Sequence, residues 1–202
     1  MAAALNRDHI YGIVLAAGAA SRFGTTKQTA NWNGSPLVRH AGELATGCCD
    51  ARTVLVTGHD WQHVRAAYGA LPGGFVVNEN YADGMGSSLA LAVRSIRHAA
   101  AAVLVLLADQ PLITPAHLAD LVSGWSGAAD EIVASGYAEA SGVPALFGSG
   151  CFDALCDLQA DEGAKKLLRD SAFTVTSVPF ADAAADIDTA EDLVRIARSA
   201  RS

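Results

Sequence analysis

Four apolar runs of strand length, each followed by a stretch with helical spacing, constrain this chain more than any other feature. The runs "IYGIVLAA", "RTVLVTG", "GFVVNEN" and "AVLVLLA" are near-continuous in apolar residues. They lack the apolar–polar alternation of a half-exposed strand, so they read as strands covered on both faces. Between and after them, "PLVRHAGELA", "WQHVRAAYGAL", "SSLALAVRSIRHA" and "PAHLADLVSGW" carry apolar residues at helical spacing. This succession predicts an α/β fold with a mainly parallel central sheet and helices on both sides. After "EIVAS" the regularity loosens. "VPALF" reads as a further strand, "CFDALCDL" and "EGAKKLLRD" as short helices, and "FTVTSVPF" as a late strand. A last helix opens in "DTAEDLVRIARSA", with Asp188 or Thr189 as N-cap and acids in its first turn. No linker and no internal repeat interrupts the pattern, so one domain over residues 1–202 is expected, with residues 1–9 as an N-terminal tail.

Charge and composition narrow the possible partners. A net charge of -7 argues against a general nucleic-acid surface, which needs clustered Lys and Arg. An anionic ligand must then be held by a few placed cations and backbone N–H groups. No run is long enough to span a bilayer, and "MAAALNRDHIYG" lacks the apolar core of a signal peptide. A cytoplasmic protein without a membrane partner is expected. Cys48, Cys49, Cys151 and Cys156 match neither a zinc ribbon nor a redox pair and read as buried free thiols.

Ligands of open parallel sheets bind beyond the carboxyl ends of the strands. That rule selects the loops after Leu15, Asn78 and Leu107 and the segment after the late strand. In the first, Ala16, Ala17 and Gly18 are small enough to let a ligand approach the backbone, and Arg22 and Lys27 could meet phosphate oxygens. It is neither a Walker A loop nor a G-x-G-x-x-G fingerprint. The plain alternative is a polar turn.

In "NENYADGMGSSL", glycines flank Met85, and Gly86, Ser87 and Ser88 run into a helix whose N-terminus favours an anion or a polar edge. Ser87 or Ser88 could equally serve only as an N-cap. In "LLADQPLITP", Asp109 directly follows a strand that should be buried. Its carboxylate could hold a divalent cation carrying phosphates or accept hydrogen bonds within the turn. Pro111 and Pro115 stiffen that turn and open the next helix. Asp186 and Asp188 in "ADIDTAEDL" are either capping acids or partners of Asp109. His59 lines the same edge, but the six histidines show no metal-ligand spacing, and no serine sits in a nucleophile elbow. Trp32, Trp61 and Trp125 are too dispersed for a stacking platform and read as packing residues.

Taken in order, "LAAGAASRFGTTK", "NENYADGMGSSL", "LLADQPLITP" and "DIDTAEDL" resemble the nucleotidyltransferases that mature the molybdenum cofactor, in particular their cytidylyltransferase branch. The resemblance covers nearly the whole chain. It implies a Rossmann-like three-layer fold and transfer of CMP from CTP to the terminal phosphate of molybdopterin, with release of pyrophosphate. Carried over by position, residues 15–18 (Leu15, Ala16, Ala17 and Gly18) would hold base and ribose, and Arg22 and Lys27 the triphosphate. Asp109 would bind Mg²⁺, with Asp188 as second carboxylate. Asn78, Gly86, Ser87 and Ser88 would contribute to the nucleotide or pterin pocket, and a molybdenum hydroxylase would receive the product. Ala17 matches the "LAAG" of the cytidylyl branch, where the guanylyl branch has "LAGG". The chain departs from the family at Phe23, where methionine is usual, at Ser35, a common lysine, and at Val143, usually polar. Three alternatives stay open: the same chemistry with GTP or a sugar 1-phosphate, a nicotinamide- or flavin-dependent oxidoreductase, and a non-catalytic cofactor chaperone.

Overall fold

The computed structural model describes residues 9–19, 23–137, 140–158 and 163–199. Arg22 and the expected tail, apart from His9, lie outside the described residues. The strands are β1 (Ile10–Ala16), β2 (Asn31–Trp32), β3 (Ser35–Pro36), β4 (Thr53–Thr57), β5 (Gly74–Val77), β6 (Ala102–Leu107), β7 (Glu131–Tyr137), β8 (Ala140–Gly148) and β9 (Thr174–Pro179). The α-helices are α1 (Leu37–Cys49), α2 (Trp61–Tyr68), α3 (Met85–Ile96), α4 (Pro115–Gly124), α5 (Phe152–Cys156) and α6 (Ala190–Ser199). Seven strands form one sheet in the order β5-β4-β1-β6-β8-β7-β9, and β2 and β3 make a small separate ribbon. All neighbours in the large sheet are parallel except at β8, which runs antiparallel to both β6 and β7.

The double burial expected of the strands holds for β1, β4 and β6, whereas β5, at the edge of the sheet, is only partly buried. Val14 and Ala16 of β1, with Leu104 and Leu106 of β6, face α1, α2 and α4 through Val38, Val64 and Leu118. Ile13 and Leu15, with Val103 and Val105, face α3 and α5 through Leu89, Val93 and Leu155. Successive side chains of a strand point to opposite faces, so a strand between two helical layers has no polar position to spare. A third cluster gathers Trp32, Leu37, Ile187 and Ile196, tying α6 back to the ribbon beside α1. Trp125 is buried and donates its indole N–H to the Ala128 carbonyl at 2.9 Å, while Trp61 is partly exposed against Phe75. All four cysteines are free thiols, and three of them are buried.

Two local expectations change. The helix read through "WQHVRAAYGAL" ends at Tyr68, because Gly69 takes φ 75°, a left-handed stop open to glycine. The stretch "EGAKKLLRD" contains a 3-10 helix, Ala164–Arg169, in place of an α-helix. By contrast, Pro115 does open α4, with Thr114 as N-cap accepting from the His117 N–H at 3.2 Å.

His117 itself is buried against Phe180, ring stacked on ring at 4.0 Å. Ser135 donates its hydroxyl to the Pro144 carbonyl at 2.6 Å, so at 2.7 Å it accepts from His117 Nε2. Burial holds the imidazole below its ordinary range, against a weaker upward pull from Asp120. The folded state thus keeps His117 neutral while the unfolded chain protonates. Stability should be complete above about pH 6.5 and fall as pH drops below it, by at most about 1.4 kcal/mol per pH unit for one proton. Urea unfolding of wild type and His117→Asn at pH 7.5 and 5.5 checks this. An equal pH dependence in the variant would assign the loss to other groups.

Candidate active site

The parallel register aligns the carboxyl ends of β1, β4, β5 and β6 along one edge. Leu15 pairs with Leu107, Ala16 with Thr57, and Thr57 with Val77. A cleft of about 390 Å³ opens there. Its apolar floor includes Leu15, Ala16, Leu107 and Ala108, and Ala17, Gly18 and Ala19 form one wall. Tyr81, Gly84, Met85 and Ser88 line the opposite side, and Lys27, Gln28, Asp109 and Asp188 supply the polar groups. Residues from all four segments selected in the sequence therefore meet in one place.

The first loop is fastened from behind at both ends. The Ala17 carbonyl accepts the His59 N–H at 3.3 Å. The Gly18 carbonyl accepts from the Gln28 side chain at 2.7 Å, and Gln28 is itself buried. Farther along, the Thr26 hydroxyl donates to the Asp60 carboxylate, which also pairs with His63 at 2.5 Å. The β4–α2 turn thus grips the outgoing arm through His59 and the returning arm through Asp60. Gly58 permits this approach: a Cβ there would lie 2.4 Å from Tyr81 Cβ and 2.9 Å from the Ala17 carbonyl oxygen. The Thr26 and His63 hydrogen bonds hold the Asp60 carboxyl below its ordinary range.

The second loop differs from the capping alternative. Gly84, at φ 99°, precedes the first residue of α3, and no side chain caps the helix. The Ser87 hydroxyl donates to the carbonyls of Gly84 and Asn80, at 2.8 and 3.2 Å. Buried Asn78 donates to the hydroxyl oxygens of Ser87 and Ser88 at 2.8 and 2.9 Å. Asn78 and Ser87 therefore shape the loop from behind, Gly86 is buried within the helix, and Ser88 reaches the cleft. Half-exposed Met85 stands on the same side.

Three charged groups occupy the far end. Lys27 Nζ lies 2.7 Å from Asp109 Oδ2 and 3.0 Å from Asp188 Oδ1. The lysine side chain is 13% exposed, Asp109 24% and Asp188 62%. Burial alone would lower the Lys27 ammonium. The charge of Asp109 and the hydrogen bonds to both carboxylates outweigh it and hold the group above its ordinary value. The other oxygen of Asp109, Oδ1, is buried and meets no hydrogen-bond partner among the described residues.

The backbone explains why these residues converge. The Ala108 N–H continues the β1–β6 pairing to the Leu15 carbonyl at 3.1 Å, and the Ile187 N–H donates to the Asp109 carbonyl at 3.0 Å. Fully buried Ile187 anchors the segment, so its neighbours Asp186 and Asp188 flank the site. Capping falls to Thr189, whose hydroxyl accepts from the Asp192 N–H at 3.1 Å, while the Asp192 carboxylate accepts the Thr189 N–H at 3.0 Å. This reciprocal capping leaves the Asp188 side chain to Lys27. Crowding by nearby atoms, then the charges of Asp109 and Asp188, push the Asp186 carboxyl up to about 6 against a Gln110 hydrogen bond and Lys27. Asp186 keeps an exposed face, so the crowding is local.

Sequence reading missed Gln28, Tyr81 and Asp60. Tyr81 lies inside a quoted motif and Gln28 directly follows another, so proximity to Met85 and Lys27 was the available signal. Asp60 acts through Thr26, a partner 34 positions away, and nothing local marks it. Among the described residues, no three His, Cys, Asp or Glu side chains are grouped to hold a metal by protein alone. No described helix is long and apolar enough to cross a membrane.

Residues 12–175 match the family of MobA-like NTP transferase domains. The chain is 31% identical to nicotine blue oxidoreductase of Paenarthrobacter nicotinovorans, over 93% of this chain and 96% of that protein. It is 30% identical to the purine catabolism protein PucB of Bacillus subtilis, over 96% of this chain and all of PucB. Among solved structures, Rv0371c from Mycobacterium tuberculosis H37Rv superposes with a TM-score of 0.81 at 28% identity, covering 94% of this chain and 98% of that one. Rv0371c has also been solved in complex with manganese. Molybdopterin-guanine dinucleotide biosynthesis protein A from Archaeoglobus fulgidus shares the fold, with a TM-score of 0.70 at 18% identity over 95% of this chain and 98% of that one.

Proposed function

The chain belongs to the MobA-like NTP transferase family, and on that footing we propose that its cleft transfers CMP from CTP to the terminal phosphate of a molybdopterin-type acceptor. The observation that carries this reading is the meeting of Lys27, Asp109 and Asp188 beside an apolar floor between two small-residue loops. A phosphate monoester is ionised near neutral pH and needs no general base. Its oxygen bonds to the α-phosphorus of CTP, the bond from that phosphorus to the bridging oxygen breaks, and pyrophosphate leaves with the electron pair. The protein's task is to position two polyanions and offset the charge growing on the leaving group.

In this reading residues 15–18 hold base and ribose, with Ala17 setting the preference for cytosine. Arg22 and Lys27 meet the triphosphate, and the α3 N-terminus, without a side-chain cap, offers N–H groups to anionic or polar atoms. The residues fit a Mg²⁺ ion shared with phosphates. Asp109 keeps a buried oxygen without a partner among the described residues, Asp188 is not spent on capping, and magnesium characteristically uses one or two carboxylates plus substrate oxygens. When bound, the ion would neutralise phosphate charge. We read residues 1–202 as one cytoplasmic domain whose product passes to a molybdenum hydroxylase.

Thermal unfolding with each nucleoside triphosphate and Mg²⁺ tests the nucleotide. CTP at about 100 times its Kd should add about 2.7 kcal/mol, which for a domain of this size is a rise of roughly 5–10 °C. A greater rise with GTP would overturn the cytidylyl assignment. Pyrophosphate release with molybdopterin or a sugar 1-phosphate identifies the acceptor, and cofactor binding without CTP turnover would identify a chaperone. A second reading, hydride chemistry on a nicotinamide or flavin, is favoured by the oxidoreductase name of the Paenarthrobacter relative. Stabilisation by NAD(P)H or a flavin, with none by any triphosphate, would select it.

A further inference from the structure

Lys27 is engaged in a way that the triphosphate assignment alone does not explain. Its ammonium bridges two carboxylates that lie 82 and 161 positions away in sequence. Among the described residues both would otherwise stand side by side with no other cation shown bridging them, one of them on a strand end fixed by backbone bonds. The lysine side chain is largely withdrawn from solvent and its contact with Asp109 is partly buried, while Asp188 reaches it from the exposed rim.

We infer that Lys27 is a stand-in cation: in the nucleotide-free protein it holds Asp109 and Asp188 together and keeps a lone divalent ion out, so that the metal enters with the triphosphate. The inference rests on the nucleotidyl reading above for its second half, and on geometry for its first. An ion shared by Asp109 and Asp188 would lie beside the ammonium that already spans them, and like charges at such range repel strongly where solvent screening is reduced. The chain also offers too few ligands for the ion alone. Magnesium demands six oxygens in near-octahedral array, and the described residues supply no three-residue cage.

A bound triphosphate changes both terms. Its oxygens complete the coordination, and its negative charge gives the lysine a competing partner. Lys27 would then exchange carboxylate for phosphate, leaving Asp109 and Asp188 free to hold the ion. One residue thereby serves as counter-ion before binding and as phosphate ligand after it.

Direct binding of Mn²⁺, followed by the electron paramagnetic resonance of the free ion, tests this without turnover. Wild type should retain little Mn²⁺ alone and much more when CTP is added. Lys27→Met, which keeps the stem and removes the charge, should bind Mn²⁺ without nucleotide about tenfold or more tightly than wild type. Adding Asp109→Asn to Lys27→Met should remove that gain, and Lys27→Gln provides a second uncharged variant if the methionine protein folds poorly. Equal affinity of wild type and the uncharged variants for Mn²⁺ alone would overturn the inference, whether both bind or neither does. A gain in the variants with no effect of any triphosphate on wild type would leave the stand-in role in place and overturn the nucleotidyl reading.

Discussion

Asp109→Asn should fold and melt within a few degrees of wild type yet lose metal-dependent pyrophosphate release by about 10²–10³ or more. The substitution keeps the shape of the side chain and its place after β6, where the backbone bonds of Ala108 and Asp109 fix the turn. It removes the charge that faces Lys27 and with it the anionic oxygen that a metal needs. The cost in stability stays small because Lys27 keeps Asp188 as a partner and the pair is partly solvated. Melting curves beside pyrophosphate release at limiting and saturating Mg²⁺ make the comparison. A variant as active as wild type at limiting Mg²⁺ would make Asp109 a turn residue. Asp188→Asn should act in the same direction, and because Thr189 and Asp192 cap α6 between themselves, a loss of rate there cannot be assigned to a lost cap.

Lys27→Ala should lower turnover by about 10²–10³ with the true acceptor, the usual loss when one donor to developing charge is removed. Its effect on stability has two opposing parts. Losing the ammonium removes the cation that bridges Asp109 and Asp188, while the cost of burying that ammonium disappears. The melting temperature should therefore move far less than the rate. Turnover near that of wild type would demote Lys27 to a structural counter-ion.

Much of this architecture was legible because it is periodic. The apolar runs around Val14 and Leu104 have no polar position, and a strand of that kind has to lie between helical layers. Asp109 stood out for a related reason, as a carboxylate placed at the end of such a run. The reversal of β8 between β6 and β7 was not legible, since periodicity reports which residues are buried and says nothing about which strand lies beside which. Asp188 was ambiguous because a cap and a ligand use the same residue type at the same place. Only the position of the Thr189 hydroxyl separates the two. Asn78 sat at the expected strand end, and its amide also braces Ser87 and Ser88, a contact that composition does not carry. Asp60 left no local trace, because its contact with Thr26 exists only after β1 and β4 have paired.

The Ile187 N–H bond to the Asp109 carbonyl also sets an order in time. Every strand of the large sheet is complete by Pro179, whereas Asp188 emerges from the ribosome later, during synthesis that runs from the N-terminus at about 5–20 residues per second. Lys27 and Asp109 therefore precede their third partner in order of synthesis, and Ile187 and Ile196 are still needed to complete the cluster around Trp32 and Leu37. Competence waits on the docking of the segment around Ile187, the step that both closes the cluster around Trp32 and brings Asp188 to Lys27.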